Sequence, residues 1–185
     1  SIERSDGHAT AFGKRDEKKI GNVLLSADSL AFNQTVQDVT FNVRSGEIAG
    51  FAGLLGAGRT ETARMVFGID RPRAGSMQFD GKAYDPRKPA DAISAGMGFC
   101  TEDRKSEGIV PEMSVAENMM LALMPKVAKS GIIDEKVQQQ IVERFIKRLG
   151  IKCSGPGQKV RELSGGNQQK VLLARWLAMN PRLLI

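Results

Sequence analysis

The stretch that decides the fold is IAGFAGLLGAGRTETARMVFG, residues 48–68. It starts with an apolar run of the kind that forms a buried strand, passes through a glycine-rich loop, and continues as a helical segment that ends at Gly68. A strand, a glycine loop and a helix in this order are typical of a phosphate-binding loop, because the first backbone N–H groups of the helix are unpaired and attract an anion. The sequence therefore predicts an α/β protein with a site for nucleotide phosphates.

The loop itself departs from the usual phosphate-loop pattern at one position. Lysine is expected after the last glycine, but Arg59 stands there, and its wide planar guanidinium is not equivalent to a flexible ammonium in a tight loop. Thr60 follows, where a hydroxyl ligand of Mg²⁺ belongs. We predict a weakened site for the phosphates of ATP, with a glycine-rich turn that binds no ligand as the alternative. The residues that contact ATP would be Gly53, Gly56, Ala57, Gly58, Arg59, Thr60 and Glu61.

Composition excludes several other classes of protein. The chain has 185 residues, of which 41% are hydrophobic, and no apolar run approaches the ~20 residues that span a bilayer. Cys100 and Cys153 match no metal or redox spacing, which favours a reducing, cytosolic compartment. The net charge is +6, but the basic residues are scattered, and one Tyr and one Trp cannot form a stacking platform for bases. We therefore expect no nucleic-acid partner.

The rest of the chain divides into segments of different character. Residues 1–19 are polar, contain the only histidine, His8, and predict a linker or disordered tail. Residues 20–185 then predict one domain in which NVLLSA, VTFNV, SMQFDG, MGFCTE and the final RLLI are strands and KPADAISAG is a short helix. We expect a helical part over about 112–178.

Three helices are predicted in that helical part. Ser114 followed by Glu117 forms a capping-box pattern at the start of SVAENMMLALM. In DEKVQQQIVERFIKRLG, Asp134 is the expected N-cap. That helix carries an apolar stripe at Val137, Ile141, Phe145 and Leu149. The third helix is SGGNQQKVLLARWLAMN, whose first turn is rich in glycine.

The motif LSGGNQQK, residues 163–170, supplies the second phosphate-facing pattern. Ser164, Gly165 and Gly166 open a helix with exposed backbone amides, about 110 residues after the first loop. This pair of motifs resembles the nucleotide-binding domain of an ATP-binding-cassette (ABC) transporter, in which the first loop is the Walker A motif and LSGG is the signature motif. Together with TEDRKSEGIVPEMSVAENM, the two motifs resemble the second ATPase cassette of bacterial sugar importers of the ribose, galactose and xylose type.

The resemblance covers roughly residues 22–185 and implies a fold and a site. The fold would be a P-loop, RecA-like α/β core with an antiparallel β subdomain and a helical signature subdomain, expected to be truncated before the Walker B strand. Glu102 would replace the Q-loop glutamine and join Thr60 as a ligand of Mg²⁺. Phe32 is the nearest candidate to stack on adenine. The family's general base and switch histidine follow Walker B, so we expect no catalytic residue in this chain and no hydrolysis by it alone.

The resemblance also implies partners. Family cassettes work in pairs, each ATP lying between the Walker A motif of one cassette and the signature of the other. The second cassette is expected in the N-terminal half of the same protein. A membrane permease, and indirectly a periplasmic sugar-binding protein, would complete an importer at the cytoplasmic face of a bacterial inner membrane. Because its own Walker A motif is altered, this cassette would mainly contribute to the ATP site of its partner cassette. The signature residues that contact that ATP would be Ser164, Gly165, Gly166, Asn167 and Gln168.

Two alternatives stay open at this point. A soluble ABC ATPase that acts on nucleic acid or ribosomes would share both motifs, but it would need a basic stripe that the sequence does not show. A scaffold domain with an empty glycine loop would bind a membrane partner without using nucleotide.

Overall fold

The computed structural model describes residues 2–4, 19–124 and 135–185, so His8 and Asp134 lie outside the described residues, as does most of the predicted tail. The chain divides into two compact units, Ser1–Ala92 and Ile93–Ile185. The first unit contains strands β1 (Ile2–Arg4), β2 (Val23–Ala31), β3 (Val39–Arg44), β4 (Ala49–Phe51), β5 (Ala74–Phe79) and β6 (Lys82–Ala83), and helix α1 (Arg59–Val66). Helix α2 (Pro89–Ala95) crosses the sequence boundary between the units.

The first unit is organised around a four-stranded antiparallel sheet with the order β3-β2-β5-β6. Leu25 and Ala27 of the central strand β2 are buried, and Ala27 lies opposite Phe41 on one neighbouring strand and Met77 on the other. Their side chains share one face because successive residues of a strand alternate between faces. The predicted antiparallel β subdomain is confirmed, as are the strands that form it.

Strand β4 differs from the prediction of a buried strand. It has only three residues and pairs, within the described chain, with β1 alone, while the adjacent Ile48 is 57% exposed. A strand buried on both faces needs covering elements on both sides, which an apolar run by itself does not supply. Residues 2–4 also differ from a structureless tail, since they form the antiparallel partner of β4. Backbone pairing of this kind depends little on side-chain composition, so it left no pattern in the sequence.

The second unit contains strands β7 (Met97–Gly98) and β8 (Leu183–Leu184) and helices α3 (Val115–Met120), α4 (Glu135–Leu149) and α5 (Gly165–Ala178). The two strands pair in parallel, which agrees with the strands predicted in MGFCTE and RLLI. Helix α5 packs against both α3 and α4. The interior of this unit is formed by fully buried side chains, including those of Met119, Val142, Val171 and Leu172.

The boundaries of the helices follow from local capping. The Ser114 side chain accepts a hydrogen bond from the Glu117 amide at the start of α3, and the Glu117 carboxylate accepts one from the Ser114 amide, so the predicted capping box is confirmed. In α4 the apolar stripe is buried at Phe145, but Val137 is 41% exposed, so the buried face covers only the second half of the helix. The glycines after α1 and α4, Gly68 and Gly150, have positive φ, as a helix C-terminus requires.

Candidate nucleotide-binding site

The loop of residues 53–58 joins β4 to α1 and depends on its glycines. Gly56 and Gly58 have φ values of +79° and +78°, in the left-handed region that favours glycine. A Cβ atom on Gly58 would lie 2.5 Å from Val36 Cγ2, and one on Gly53 would lie 2.8 Å from Ala57 Cβ. Side chains are therefore excluded at positions 53 and 58, and the loop keeps a bare backbone that a phosphate group can approach.

The start of α1 presents unpaired backbone amides. Gly58 is the N-cap and makes no side-chain cap, and the first hydrogen bond of the helix runs from Thr62 N to Gly58 O over 2.9 Å. The amides of Arg59, Thr60 and Glu61 precede that bond and have no intrahelical acceptor. The hydroxyl of Thr62 donates to the same carbonyl oxygen over 2.7 Å and is buried, whereas Thr60 is exposed. Thr60 is thus the hydroxyl of this turn that a cation could reach.

The loop between β2 and β3 packs against the phosphate loop and supports it. The sequence did not predict this contact. Asn33 Oδ1 accepts hydrogen bonds from the amides of Thr35 and Val36, over 2.8 and 3.0 Å. This turn directs the buried side chain of Val36 onto Gly58. Phe32, the candidate for adenine stacking, stands half-buried at the start of the same loop. A single valine in a polar loop is the only sequence signal that could have indicated this contact.

The signature motif opens helix α5 in a similar way. Ser164 is the N-cap, with extended backbone, and its Oγ accepts a hydrogen bond from Asn167 Nδ2 over 3.0 Å rather than from a helix amide. The first helical bond runs from Gln168 N to Ser164 O over 2.9 Å. The amides of residues 165–167 therefore precede it. Ser164 and Gly166 are exposed, so the motif combines a hydroxyl with bare backbone amides.

The other two signature residues are engaged within the chain. Asn167 Oδ1 accepts a hydrogen bond from the amide of Lys152 over 3.0 Å. The Gln168 side chain donates to the carbonyl oxygens of Val160 and Leu163, over 3.2 and 3.1 Å. These bonds fix the segment that leads into α5. In this arrangement Asn167 and Gln168 hold the motif in place, while Ser164, Gly165 and Gly166 form its open face.

Arg175 anchors the other half of α5. Its guanidinium is buried and donates to Asn118 O, Gly108 O and Asn118 Oδ1, over 2.7, 2.6 and 3.0 Å. Burial lowers the pKa of Arg175 to about 10, so the group remains charged at neutral pH. The side chain thereby links the signature helix to α3 and to the turn that ends at Gly108. No pattern in the sequence indicated this residue.

Glu102, the expected second ligand of Mg²⁺, lies in the second unit, and Thr60 lies in the first. Glu102 is exposed and precedes a π-helical turn, Arg104–Gly108, whose N-cap is Asp103. The Asp103 carboxylate accepts hydrogen bonds from the amides of Lys105 and Ser106, and its pKa is lowered chiefly by the hydrogen bond from the Ser106 side chain. Across residues 2–4, 19–124 and 135–185, no group of three or more His, Cys, Asp or Glu side chains could hold a metal by itself.

Residues 36–185 match the family model described as ABC transporter. This match covers most of the chain. The chain belongs to the ABC transporter family. The cassette fold agrees with solved structures: the ATP-binding cassette MJ0796, in a dimeric post-hydrolysis state bound to ADP and Pi, superposes with a TM-score of 0.71 at 20% identity, over 87% of this chain and 72% of that one. The predicted ABC fold class and the resemblance to this family are therefore confirmed, while the position as a second cassette and the truncation before Walker B stay predictions.

Curated relatives of this ABC chain are named for ribose import. The ribose import ATP-binding protein RbsA of Bacillus licheniformis is 45% identical over 89% of this chain and 34% of its own length. The ribose import ATP-binding protein RbsA 3 of Rubrobacter xylanophilus is 46% identical over 92% of this chain and 34% of its own length. The chain thus spans about a third of the relatives that it matches. None of its described helices is both long and apolar enough to cross a membrane.

The residues of this ABC chain suit an Mg-nucleotide in their chemistry. The bare loop amides and Arg59 can hold phosphate oxygens, and the exposed Thr60 hydroxyl is an oxygen ligand of the kind that Mg²⁺ prefers. A Cβ at position 53 or 58 would fill the space that the loop backbone keeps open. These features make the loop before α1 the candidate site for a nucleotide.

Proposed function

We propose that this cassette binds Mg-ATP and, within a larger protein, couples ATP hydrolysis to import of a sugar through a membrane permease. The observation that carries the proposal is the 45% identity, over 89% of the chain, to a relative named for ribose import. In this proposal the protein is peripheral at the cytoplasmic face of a bacterial inner membrane. A second cassette lies in the same polypeptide, and a periplasmic sugar-binding protein acts indirectly through the permease.

In this function the loop before α1 holds nucleotide but is poorly suited to hydrolysis. The amides of Gly56 and Gly58 and those of the first turn of α1 bind phosphate oxygens, while the Ala57 amide donates to Leu54 O over 3.0 Å and closes the loop. Arg59 neutralises phosphate charge with a rigid fork where a lysine would follow the moving phosphoryl group. Thr60 would hold Mg²⁺, which when bound neutralises charge on the terminal phosphates.

The signature serves the nucleotide of the partner cassette. Ser164 and the amides at Gly165 and Gly166 would donate hydrogen bonds to the terminal phosphate, where negative charge develops during transfer. Support for this role comes from the exposure of Ser164 and Gly166 and from the bonds that occupy Asn167 and Gln168 within the chain. The two sites of the importer would therefore be unequal, one mainly binding ATP and the other hydrolysing it.

Thermal unfolding tests nucleotide binding at the degenerate loop. At a ligand concentration of 100 Kd, Mg-ATP should stabilise the protein by about 2.7 kcal/mol, which raises Tm by several degrees. Arg59→Ala should reduce this shift. Arg71→Ala is the matched control, because Arg71 is 65% exposed in the same unit and pairs only loosely with Asp85, at 3.9 Å. If Mg-ATP raises Tm neither for the unaltered chain nor for the full-length protein, the result would favour the scaffold alternative.

Steady-state ATPase activity of the full-length protein in complex with its permease tests the role of the signature. Ser164→Arg should reduce kcat by at least about a hundredfold, because a bulky side chain blocks the open face of the motif and one hydrogen-bond donor is lost. Ser154→Arg is the control, since Ser154 is exposed in a loop of the same unit. Unchanged activity of the Ser164 variant would show that the signature does not complete the hydrolytic site.

A further inference from the structure

We propose that Arg104 is an additional ligand for the terminal phosphate at the signature site, placed there by the turn that follows Glu102. This inference rests on the function proposed above, because it assigns a further residue to the site that the signature offers to its partner. It starts from a contact between two segments that are far apart in sequence.

The guanidinium of Arg104 lies directly at the start of helix α5. Its Nη2 atom is 2.7 Å from the position that a Cβ atom on Gly165 would occupy, so a side chain at position 165 would displace the guanidinium. The turn that carries Arg104 is itself packed closely on α5, since a Cβ atom on Gly108 would lie 2.9 Å from Leu172 Cδ2. Arg104 therefore belongs to the open face of the signature in space, although it lies about 60 residues earlier in the sequence.

The position of this cation is unfavourable without an anion. The N-terminus of a helix carries a partial positive charge, and a guanidinium beside it is repelled. Within the described residues, no carboxylate lies at ion-pair distance from Arg104. The adjacent Asp103 interacts electrostatically with Arg104, but its carboxylate accepts hydrogen bonds from the amides of Lys105 and Ser106 and from the Ser106 hydroxyl, which cap the turn. A phosphate group bound at the signature would supply negative charge at ion-pair distance from the guanidinium.

The guanidinium is also held in a fixed orientation. Its Nε atom donates to Gln168 Oε1 over 3.4 Å, a long hydrogen bond. Gln168 in turn is fixed by the two bonds from its Nε2 atom to backbone carbonyl oxygens. In the part of the chain that the structure describes, Nη1 and Nη2 make no hydrogen bond. They are therefore available as a fork, the geometry in which arginine binds two oxygens of one phosphate.

Contact with the terminal phosphate predicts a selective effect on ATP over ADP. In the full-length protein with its permease, Arg104→Gln should raise KM for ATP about tenfold, the loss expected for one charge-assisted contact. The inhibition constant of ADP, which lacks that phosphate, should change less than about twofold. Arg104→Lys keeps the positive charge but loses the two-pronged guanidinium geometry. Its KM for ATP should therefore lie between that of the unaltered protein and that of Arg104→Gln.

A structural role for Arg104 would give a different result. If Arg104 only stabilises the fold, its replacement should lower Tm and weaken the binding of ATP and of ADP equally. That outcome would overturn the proposal, as would an unchanged KM for ATP. If Arg104→Gln does not fold, Gly165→Ala provides the same test, because its Cβ displaces the guanidinium without removing it. Arg161→Gln is the control, since Arg161 is exposed and pairs with Glu112. If Ser164→Arg abolishes activity while the Arg104 variants remain normal, this inference fails and the proposed function stands.

Discussion

At the scale of single residues, the phosphate loop needs glycine at positions 56 and 58 for different reasons. Both have positive φ, but a Cβ on Gly56 would meet nothing within 4 Å, whereas one on Gly58 would overlap Val36. Gly56→Ala should therefore lower the free energy of unfolding by only about 1 kcal/mol, the cost of a left-handed alanine. Gly58→Ala should cost about 1–3 kcal/mol more, because the loop or Val36 must move.

Urea titration of the two variants measures this difference directly. The Gly56 variant is the matched control, since it carries the same substitution at nearly the same φ in the same loop. The Gly58 variant should also lose much of the Tm increase caused by Mg-ATP, because a displaced loop no longer aligns its amides. Equal free energies of unfolding for the two variants would mean that Val36 does not restrict the loop.

At the scale of secondary-structure elements, the short helix α3 depends on its capping box. The pKa of Glu117 is lowered because its carboxylate accepts a hydrogen bond from the Ser114 amide, over 2.7 Å, and interacts with the Ser114 side chain. A carboxyl group whose pKa is lower in the folded state stabilises that state above its ordinary pKa of 4.5, and the stabilisation is lost as pH falls through the lowered value.

The Glu117→Ala variant makes this pH dependence measurable. Its free energy of unfolding should be lower than that of the unaltered protein at neutral pH, by an amount that stays constant down to about pH 5 and shrinks below it. Ser114→Ala should cost about 1 kcal/mol at neutral pH, because one helix amide loses its acceptor. A difference for Glu117→Ala that persists unchanged into the acid range would contradict a role for its charged form.

The position of the signature helix α5 depends on Arg175. Arg175→Met removes the donors for Gly108 O and Asn118 O in a buried region, and we expect it to lower the free energy of unfolding by about 3 kcal/mol. Arg161→Met is the control and should change it by less than about 0.5 kcal/mol, because Arg161 is 53% exposed. Chemical denaturation followed by Trp176 fluorescence measures both variants. A loss below about 1 kcal/mol for Arg175→Met would show that the buried carbonyl groups find other donors.

At the scale of the whole molecule, the net charge of +6 bears on the nucleic-acid alternative, because a positive protein attracts RNA and DNA. Because the basic residues are scattered, we expect no specific binding of RNA or DNA, and any residual affinity should fall steeply between about 50 and 200 mM salt. Fluorescence anisotropy with labelled RNA and DNA oligonucleotides measures this. A Kd below about 1 µM at physiological salt would favour the alternative of an ABC ATPase that acts on nucleic acid.

The sequence by itself determined those features that depend on neighbouring residues. Three features depend on hydrogen bonds and backbone angles within about four residues: the glycine loop before α1, the Ser114–Glu117 capping box and the start of α5 at Ser164. The spacing of their residues was therefore sufficient to predict them. The alternation of apolar residues in VTFNV likewise predicted strand β3, whereas the antiparallel arrangement of the sheet was implied by the family resemblance. The family resemblance rested on these same local motifs.

Only the tertiary structure decided which distant residues support those motifs. The contact of Val36 with Gly58, the bond between Arg104 and Gln168 and the burial of Arg175 against α3 join residues between 22 and 64 positions apart. No periodicity or spacing encodes such pairs, because they depend on how completed elements pack. The same reason explains β4, whose apolar residues predicted burial although its exposure is set by the strands beside it. Local hydrogen bonding thus placed the phosphate-facing amides, and long-range packing determined which side chains surround them.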